Sequence, residues 1–306
     1  MENSGNLALL PSPYIKGNVT TSKIMTHVMI SLLPAFALSA VFFGGRALML
    51  TGVCIISAML FERICNLVMR KPSSVGDISA AVTGMLVGLN LPVTMPYWKA
   101  CVGTFAAIVV AKQIFGGLGK NFVNPAIFGK LVLLLLFRND MTNFVEPFYN
   151  GDTSLTAFTP LMSGNENYYN MFLGNTAGNI GEVSACALLI GACYLRAVNV
   201  IKLYTPLAYL GTVFIFSTIA GYDGLYQILA GGVILGAFFM ATDPVSTPDT
   251  KSGKLIFGAG CGIITCLVRF YTDYIGADGT VISILVMNIL TALFYLIYNK
   301  VSCKNK

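Results

Sequence analysis

The chain has 306 residues, of which 56% are hydrophobic and 10% charged, with a net charge of +6. Soluble domains carry roughly 25% charged residues, so this composition excludes an ordinary water-soluble fold. A mean hydropathy of +0.74, spread along the length, divides the chain into membrane spans instead of soluble domains.

The opening stretch, MENSGNLALLPSPYIKGNVTTSKIM, lacks a basic start and a small-residue cleavage site, and reads as a short polar arm, not a signal peptide. Helical spans are expected at 24–44, 47–68, 78–92, 97–115 and 123–137. After a long loop at 138–180 they resume at 181–199, 203–220, 226–241, 255–271 and 281–299. The yardstick is the run of about 20 apolar residues that crosses a bilayer. The segments 78–92 and 226–241 are short and run into Pro92 and Pro244, so each reads as a broken or half helix.

Charge gives an orientation. With the first residues inside, the cytoplasmic segments collect Lys16 and Lys23, Arg70 and Lys71, Lys112 and Lys120, Arg196 and Lys202, Lys251 and Lys254, and Lys300 to Lys306. Acidic residues such as Glu146, Asp152, Glu182 and Asp223 fall on the other side. This follows the positive-inside rule and predicts about ten crossings, cytoplasmic termini and an external loop at 138–180. The basic residues sit singly or in pairs at helix ends, which fits lipid headgroups and excludes nucleic acid.

The halves repeat a pattern. Gly84–Pro92 (GMLVGLNLP) leads to a helix, a glycine-rich turn with Gly116 and Gly119, and Asn124. Gly236–Pro244 (GAFFMATDP) leads to a helix, a turn with Gly276 and Gly279, and Asn288. An odd number of crossings per half inverts the second copy, the plan of many transporters. The expectation is therefore an all-α integral membrane protein forming one membrane domain. Repeat one is 24–137, the external loop 138–180 and repeat two 181–299.

Chemistry is constrained by what is missing. No CxxC occurs among the eight cysteines, which read as small apolar core residues. His27 is the single histidine, so this chain alone supports no iron–sulfur cluster and no multi-histidine metal site. The helix breaks at Leu89–Pro92 and Ala241–Pro244 free backbone groups that suit a flavin, an ion or a small solute. Asp243 is either part of such a site or the cap of a tight turn. Asn121 and Asn124 precede Pro125, a helix entry whose free N–H groups can hold an anionic or carbonyl-rich ligand. Lys130 and Arg269 lie inside or at the edge of spans, where ionisable groups are costly; snorkelling accounts for Arg269. Neither glycine-rich turn is a dinucleotide or P-loop motif.

The residues resemble a known family. The stretches Gly76–Pro92, Lys112–Ala126, Phe238–Pro248 and Ile284–Asn288, with Ser12-Pro13 before them, are similar to the NqrB/RnfD family. These are membrane components of the Na+-translocating NADH:quinone reductase and of the Rnf electron-transport complex. The resemblance implies FMN attached covalently by a phosphodiester to a threonine. Thr156–Leu161 (TAFTPL) occupies that place, with Thr159 as the acceptor. Phe158 stands where similar sequences carry Ala, which makes Thr156 the second candidate. Phe158, Tyr168 and Tyr169 are candidates for the wall of the flavin ring. Asp278, Ala292 and Tyr295 depart from the family pattern in the last repeat and lend no support to a carboxylate conducting ions there.

The resemblance further implies a riboflavin in the helical bundle and a place in the cell inner membrane. The partners would be Rnf subunits A, B, C, E and G and membrane lipid, with NAD and ferredoxin bound by those subunits. The expected function is electron relay through FMN, in a ferredoxin:NAD+ oxidoreductase coupled to Na+ or H+ translocation. The alternative from the inverted repeat alone is a channel or transporter for a small solute.

Overall fold

The computed structural model describes residues 20–70, 75–149, 156–272 and 279–304. The polar arm with Ser12 and Pro13, Lys71, residues 150–155, Asp273 and the Gly276–Asp278 turn lie outside the described residues. The first half forms α1 (Thr21–Phe43), α2 (Gly45–Val68), α3 (Ser79–Leu89), α4 (Tyr97–Phe105, continuing in π-helical turns over Ala106–Gln113) and α5 (Pro125–Leu136). Three short helices follow: α6 (Arg138–Met141), α7 (Pro160–Ser163) and α8 (Tyr168–Leu173). The second half forms α9 (Ala185–Ala197), α10 (Tyr204–Ile219), α11 (Gly224–Leu229), α12 (Val233–Leu235, continuing π-helical over Gly236–Met240), α13 (Lys251–Tyr271) and α14 (Gly279–Lys304). Among the described residues, the one extended pairing is an antiparallel bridge between Phe144 and Ala157.

Among the described residues, four helices are long and apolar enough to cross a membrane: α1, α2, α13 and Gly279–Ile297 of α14. The others are shorter than the expected spans. The segment expected at 226–241 divides into α11, α12 and a π-helical stretch, because Ala230 and Gly231 leave helical geometry, Gly231 at φ +67°. The 138–180 segment, read as a loop, contains α6 to α8.

Side-chain caps start several helices. Thr20, Asn124, Ser184 and Thr250 each accept a hydrogen bond from a backbone N–H in the first turn that follows. These bonds satisfy donors that a helix start leaves orphaned. Glycine then lets helices approach. A Cβ on Gly84 would lie 2.5 Å from the Cys54 carbonyl oxygen, and one on Gly258 would lie 2.4 Å from that of Thr205. Small residues at such contacts allow backbones to pack where lipid provides no hydrophobic drive. In this way α3 packs on α2 and α13 on α10, while α1 meets α9 and α5 meets α14 across the two halves. All eleven residues of α3 are buried. One apolar core joins Leu50, Met85 and Leu133 of the first half to Leu188, Phe257 and Ile284 of the second.

Candidate functional site

The end of α3 is the key to the site. The helix stops at Leu89, and its last carbonyls need partners. Gly181 donates its N–H to the Leu89 oxygen at 2.7 Å, and Ile180 donates to the Leu91 oxygen at 2.9 Å. A Cβ on Gly181 would fall 2.5 Å from that of Leu89, so glycine is what admits this strand of chain. The segment ending at Glu182 is thereby threaded alongside the helix break.

This threading brings together a buried polar cluster. The Lys130 ammonium, on α5, lies 2.7 Å from Glu182 Oε1 and donates to Asn90 Oδ1 at 3.0 Å. Asn179 Nδ2 donates to Glu182 Oε2 at 2.7 Å. The Asn90 amide nitrogen donates to the Leu86 carbonyl at 2.7 Å. Lys130, Asn90, Asn179 and Glu182 are all buried. Gly232 stands against the carboxylate, where a Cβ would lie 2.5 Å from Glu182 Oε1.

Glu182 also lines an outer cavity of about 50 Å³. The same cavity is lined by Thr159, Asn179, Thr176 and Phe144. Thr159 is the residue before α7, in extended conformation at φ −71° and ψ 161°, and its hydroxyl makes no capping hydrogen bond. Pro160 fixes the first helical position after it. The backbone on the other side is held by the bridge in which Ala157 donates to the Phe144 oxygen at 2.7 Å. Asn179 Oδ1 is buried without a hydrogen-bond partner. Such an orphaned acceptor in a cavity wall suits a ligand that brings an N–H or O–H.

Beside this cavity, and sharing Leu229 with it, lies an open apolar recess of about 670 Å³. Tyr168, Tyr169, Phe172 and Leu225 are among its walls. Tyr168 donates to the Asp223 carboxylate, which itself caps α11 through the N–H groups of Leu225 and Tyr226. Tyr168 is linked to the Thr159 segment through Tyr226, whose ring it meets edge-on and whose hydroxyl donates to the Pro160 carbonyl at 2.6 Å. Phe158 is 74% exposed and lines neither the cavity nor the recess. Thr156 is exposed and outside both as well.

The remaining candidates meet elsewhere. Asn121, Asn124 and Asp243 line a second, inner cavity of about 160 Å³ between the two halves, with Lys112, Thr83 and Phe238. Asn124 caps α5 with its oxygen and donates its amide to the Met240 carbonyl at 3.1 Å. With the Asn288 amide in the orientation that satisfies its neighbours, its side-chain oxygen accepts from the Asn124 backbone N–H at 3.1 Å, so the two asparagines matched between halves touch. Asp243 accepts from Ser246 Oγ at 2.9 Å, the turn-capping arrangement, while also bordering the cavity.

Sequence reasoning missed Glu182, counted there among external acids. It also did not foresee that Lys112 is buried, 2.6 Å from Glu62. Arg269 does not snorkel freely: it donates to the Gln227 and Ala230 carbonyl oxygens at 2.6 and 3.0 Å.

Comparison with known proteins places the chain. The family model described as NQR2, RnfD, RnfE matches residues 9–303. The D subunit of the Na(+)-translocating ferredoxin:NAD(+) oxidoreductase complex of Acetobacterium woodii is 41% identical over 95% of this chain and 93% of the relative. Its counterpart in the proton-translocating ferredoxin:NAD(+) oxidoreductase complex of Clostridium ljungdahlii is 35% identical over 92% of this chain and 91% of its own length. The counterpart in the ion-translocating oxidoreductase complex of Stutzerimonas stutzeri is 30% identical over 90% of this chain and 89% of its own.

Proposed function

The chain belongs to the NQR2, RnfD, RnfE family, and on that premise we propose that it is an electron-carrying component holding FMN in phosphodiester linkage to Thr159. It is a membrane protein and a subunit of an ion-translocating oxidoreductase complex, not catalytic alone. In the proposed reading the complex passes electrons from ferredoxin to NAD+ and moves Na+ or H+ across the inner membrane. The relatives' names themselves divide between the two ions. Subunits A, B, C, E and G supply the nucleotide and iron–sulfur chemistry. Ten crossings, inverted halves and cytoplasmic termini complete the reading, with Thr159 external.

The observation that carries the flavin assignment is the position of Thr159, whose hydroxyl is not spent on capping and which lines a cavity beside an aromatic recess. A bound flavin supplies one- and two-electron redox chemistry. The chain's own residues do the rest. Pro160 and the Phe144–Ala157 bridge hold the acceptor segment out of long helix. Tyr168, Tyr169 and Phe172 offer flat apolar walls of the kind an isoalloxazine ring stacks on. Asn179 offers an acceptor to a ring N–H. Thr159, Asn179 and Thr176 of the outer cavity and Tyr168, Tyr169 and Phe172 of the recess are the residues that would hold the flavin. The inner cavity, with Asn121, Asn124 and Asp243, is the proposed place for riboflavin or an ion.

The test is the mass of the peptide covering residues 150–162, together with in-gel flavin fluorescence of the denatured chain from its native host. An FMN increment, and fluorescence lost in Thr159→Ala, support the reading. Fluorescence lost in Thr156→Ala but kept in Thr159→Ala moves the attachment to Thr156. No increment at all favours the solute channel.

A further inference from the structure

The buried pair next to the Thr159 cavity is not required by the attachment chemistry, and it is expensive. Two ions withdrawn from water each lose several kcal/mol of solvation, and well-packed apolar residues would often serve stability better. Here the pair is kept, with its hydrogen bonds supplied by Asn90 and Asn179. Glu182 and Asn179 face the same cavity as Thr159. Gly232 leaves the carboxylate its room, since any larger residue would collide with it. The charges are therefore held in place, Lys130 on α5 and Glu182 in the turn before α9 where it forms part of the cavity wall, and both are buried where screening ions reach them little.

We propose that the Lys130–Glu182 pair sets the reduction potential of the flavin carried at Thr159, with Lys130 favouring the reduced form and Glu182 holding that pull in check. The proposal rests on the flavin reading above. Reduction places negative charge on the ring, and the field of a buried unit charge acts on it through a medium of low effective dielectric. No bond forms or breaks in the pair, and the electrons are those of the complex's own reaction. Lys130 and Glu182 are positioning residues in this scheme, because they act through the field and not by contact with the reacting atoms. Asn90 is where the balance can be shifted in the other direction, because its oxygen already touches the Lys130 ammonium.

The experiment is a spectroelectrochemical titration of the covalent flavin in the purified complex, with wild type compared to Glu182→Gln and Asn90→Asp. Both variants keep side-chain shape and change charge by one unit in opposite senses. Glu182→Gln is expected to raise the potential and Asn90→Asp to lower it. The expected size is roughly tenfold in the reduced-to-oxidised ratio at fixed potential, about 59 mV for a one-electron couple. The double variant Lys130→Met/Glu182→Gln, neutral like the native pair, is expected to return near wild type. Either single variant suffices if the other fails to assemble. Unchanged potentials, or shifts of the same sign in both, overturn the proposal. Absence of covalent flavin in the wild type is seen before any titration and counts against the flavin reading instead.

Discussion

The Lys130 ammonium and the Glu182 carboxylate, 52 residues apart in sequence, meet at 2.7 Å with side chains 1% and 6% exposed. Removing one partner of such a pair leaves an uncompensated buried charge, at a cost of about 3–5 kcal/mol, whereas removing both is far milder. Lys130→Met alone is therefore expected to lower thermal stability sharply. Lys130→Met/Glu182→Leu is expected to recover most of the loss. Unfolding in detergent, followed by the fluorescence of the single tryptophan Trp98 or by static scattering, measures both. Equal losses in the single and double variants would show that packing, not charge, dominates there.

The glycines between helices carry a second prediction. A Cβ on Gly258 meets the Thr205 carbonyl oxygen at 2.4 Å and the Ala208 Cβ at 2.9 Å. Backbone cannot yield as a side-chain tip can, so Gly258→Val is expected to cost at least about 1–3 kcal/mol through overpacking. Gly211, with open space where its Cβ would be, is the control. Gly211→Val on the adjoining α10 is expected to leave the protein near wild type. Expression yield and thermal unfolding, compared side by side, decide it.

The attachment chemistry makes a third. Thr159 supplies only a hydroxyl, so Thr159→Ser is expected to keep part of the flavin and Thr159→Ala none. Phe158, 74% exposed and outside both cavities, is expected to tolerate Phe158→Ala with flavin fluorescence retained. Loss of fluorescence in Phe158→Ala would instead show that this residue is read by whatever enzyme attaches the flavin.

Much of this was legible in the residues, and the exceptions share a cause. The helix break at Leu89–Pro92 could be read because proline and asparagine act locally. The same holds for the Asn124-Pro125 helix entry, whose cap and proline both belong to one turn. Glu182 could not be read as buried, because a lone acid ahead of an apolar run looks like a loop residue. Its burial comes from Gly181 pairing with the end of α3, which lies far back in the first half of the chain. Lys112 and Glu62 hide for the same reason: each closes the other's charge across two helices. The 226–241 segment reads as broken because it runs into Pro244, but its further division at Ala230 and Gly231 escaped hydropathy, which sees apolar residues and not the turn there.

The last prediction concerns pH and the recess beside Thr159. The Tyr168 hydroxyl donates to the Asp223 carboxylate, and that bond, with the α11 amides, holds the Asp223 carboxyl below the usual carboxylate range. The same contact pushes the Tyr168 phenol up. A carboxyl depressed in the folded state contributes stability above its unfolded value of about 3.9, and loses it as pH falls through the folded pKa. Both groups face solvent, so screening keeps the effect small. Asp223→Asn retains an oxygen to cap α11 while losing the charge. Wild type is therefore expected to hold a small advantage in melting temperature over Asp223→Asn at pH 6 to 7. That gap is expected to close once pH drops below the carboxylate range, and Tyr168→Phe is expected to behave like Asp223→Asn. A gap that persisted into acid would mean that the advantage of Asp223 does not come from its charge, and would overturn the charge-assisted bond to Tyr168 as its source.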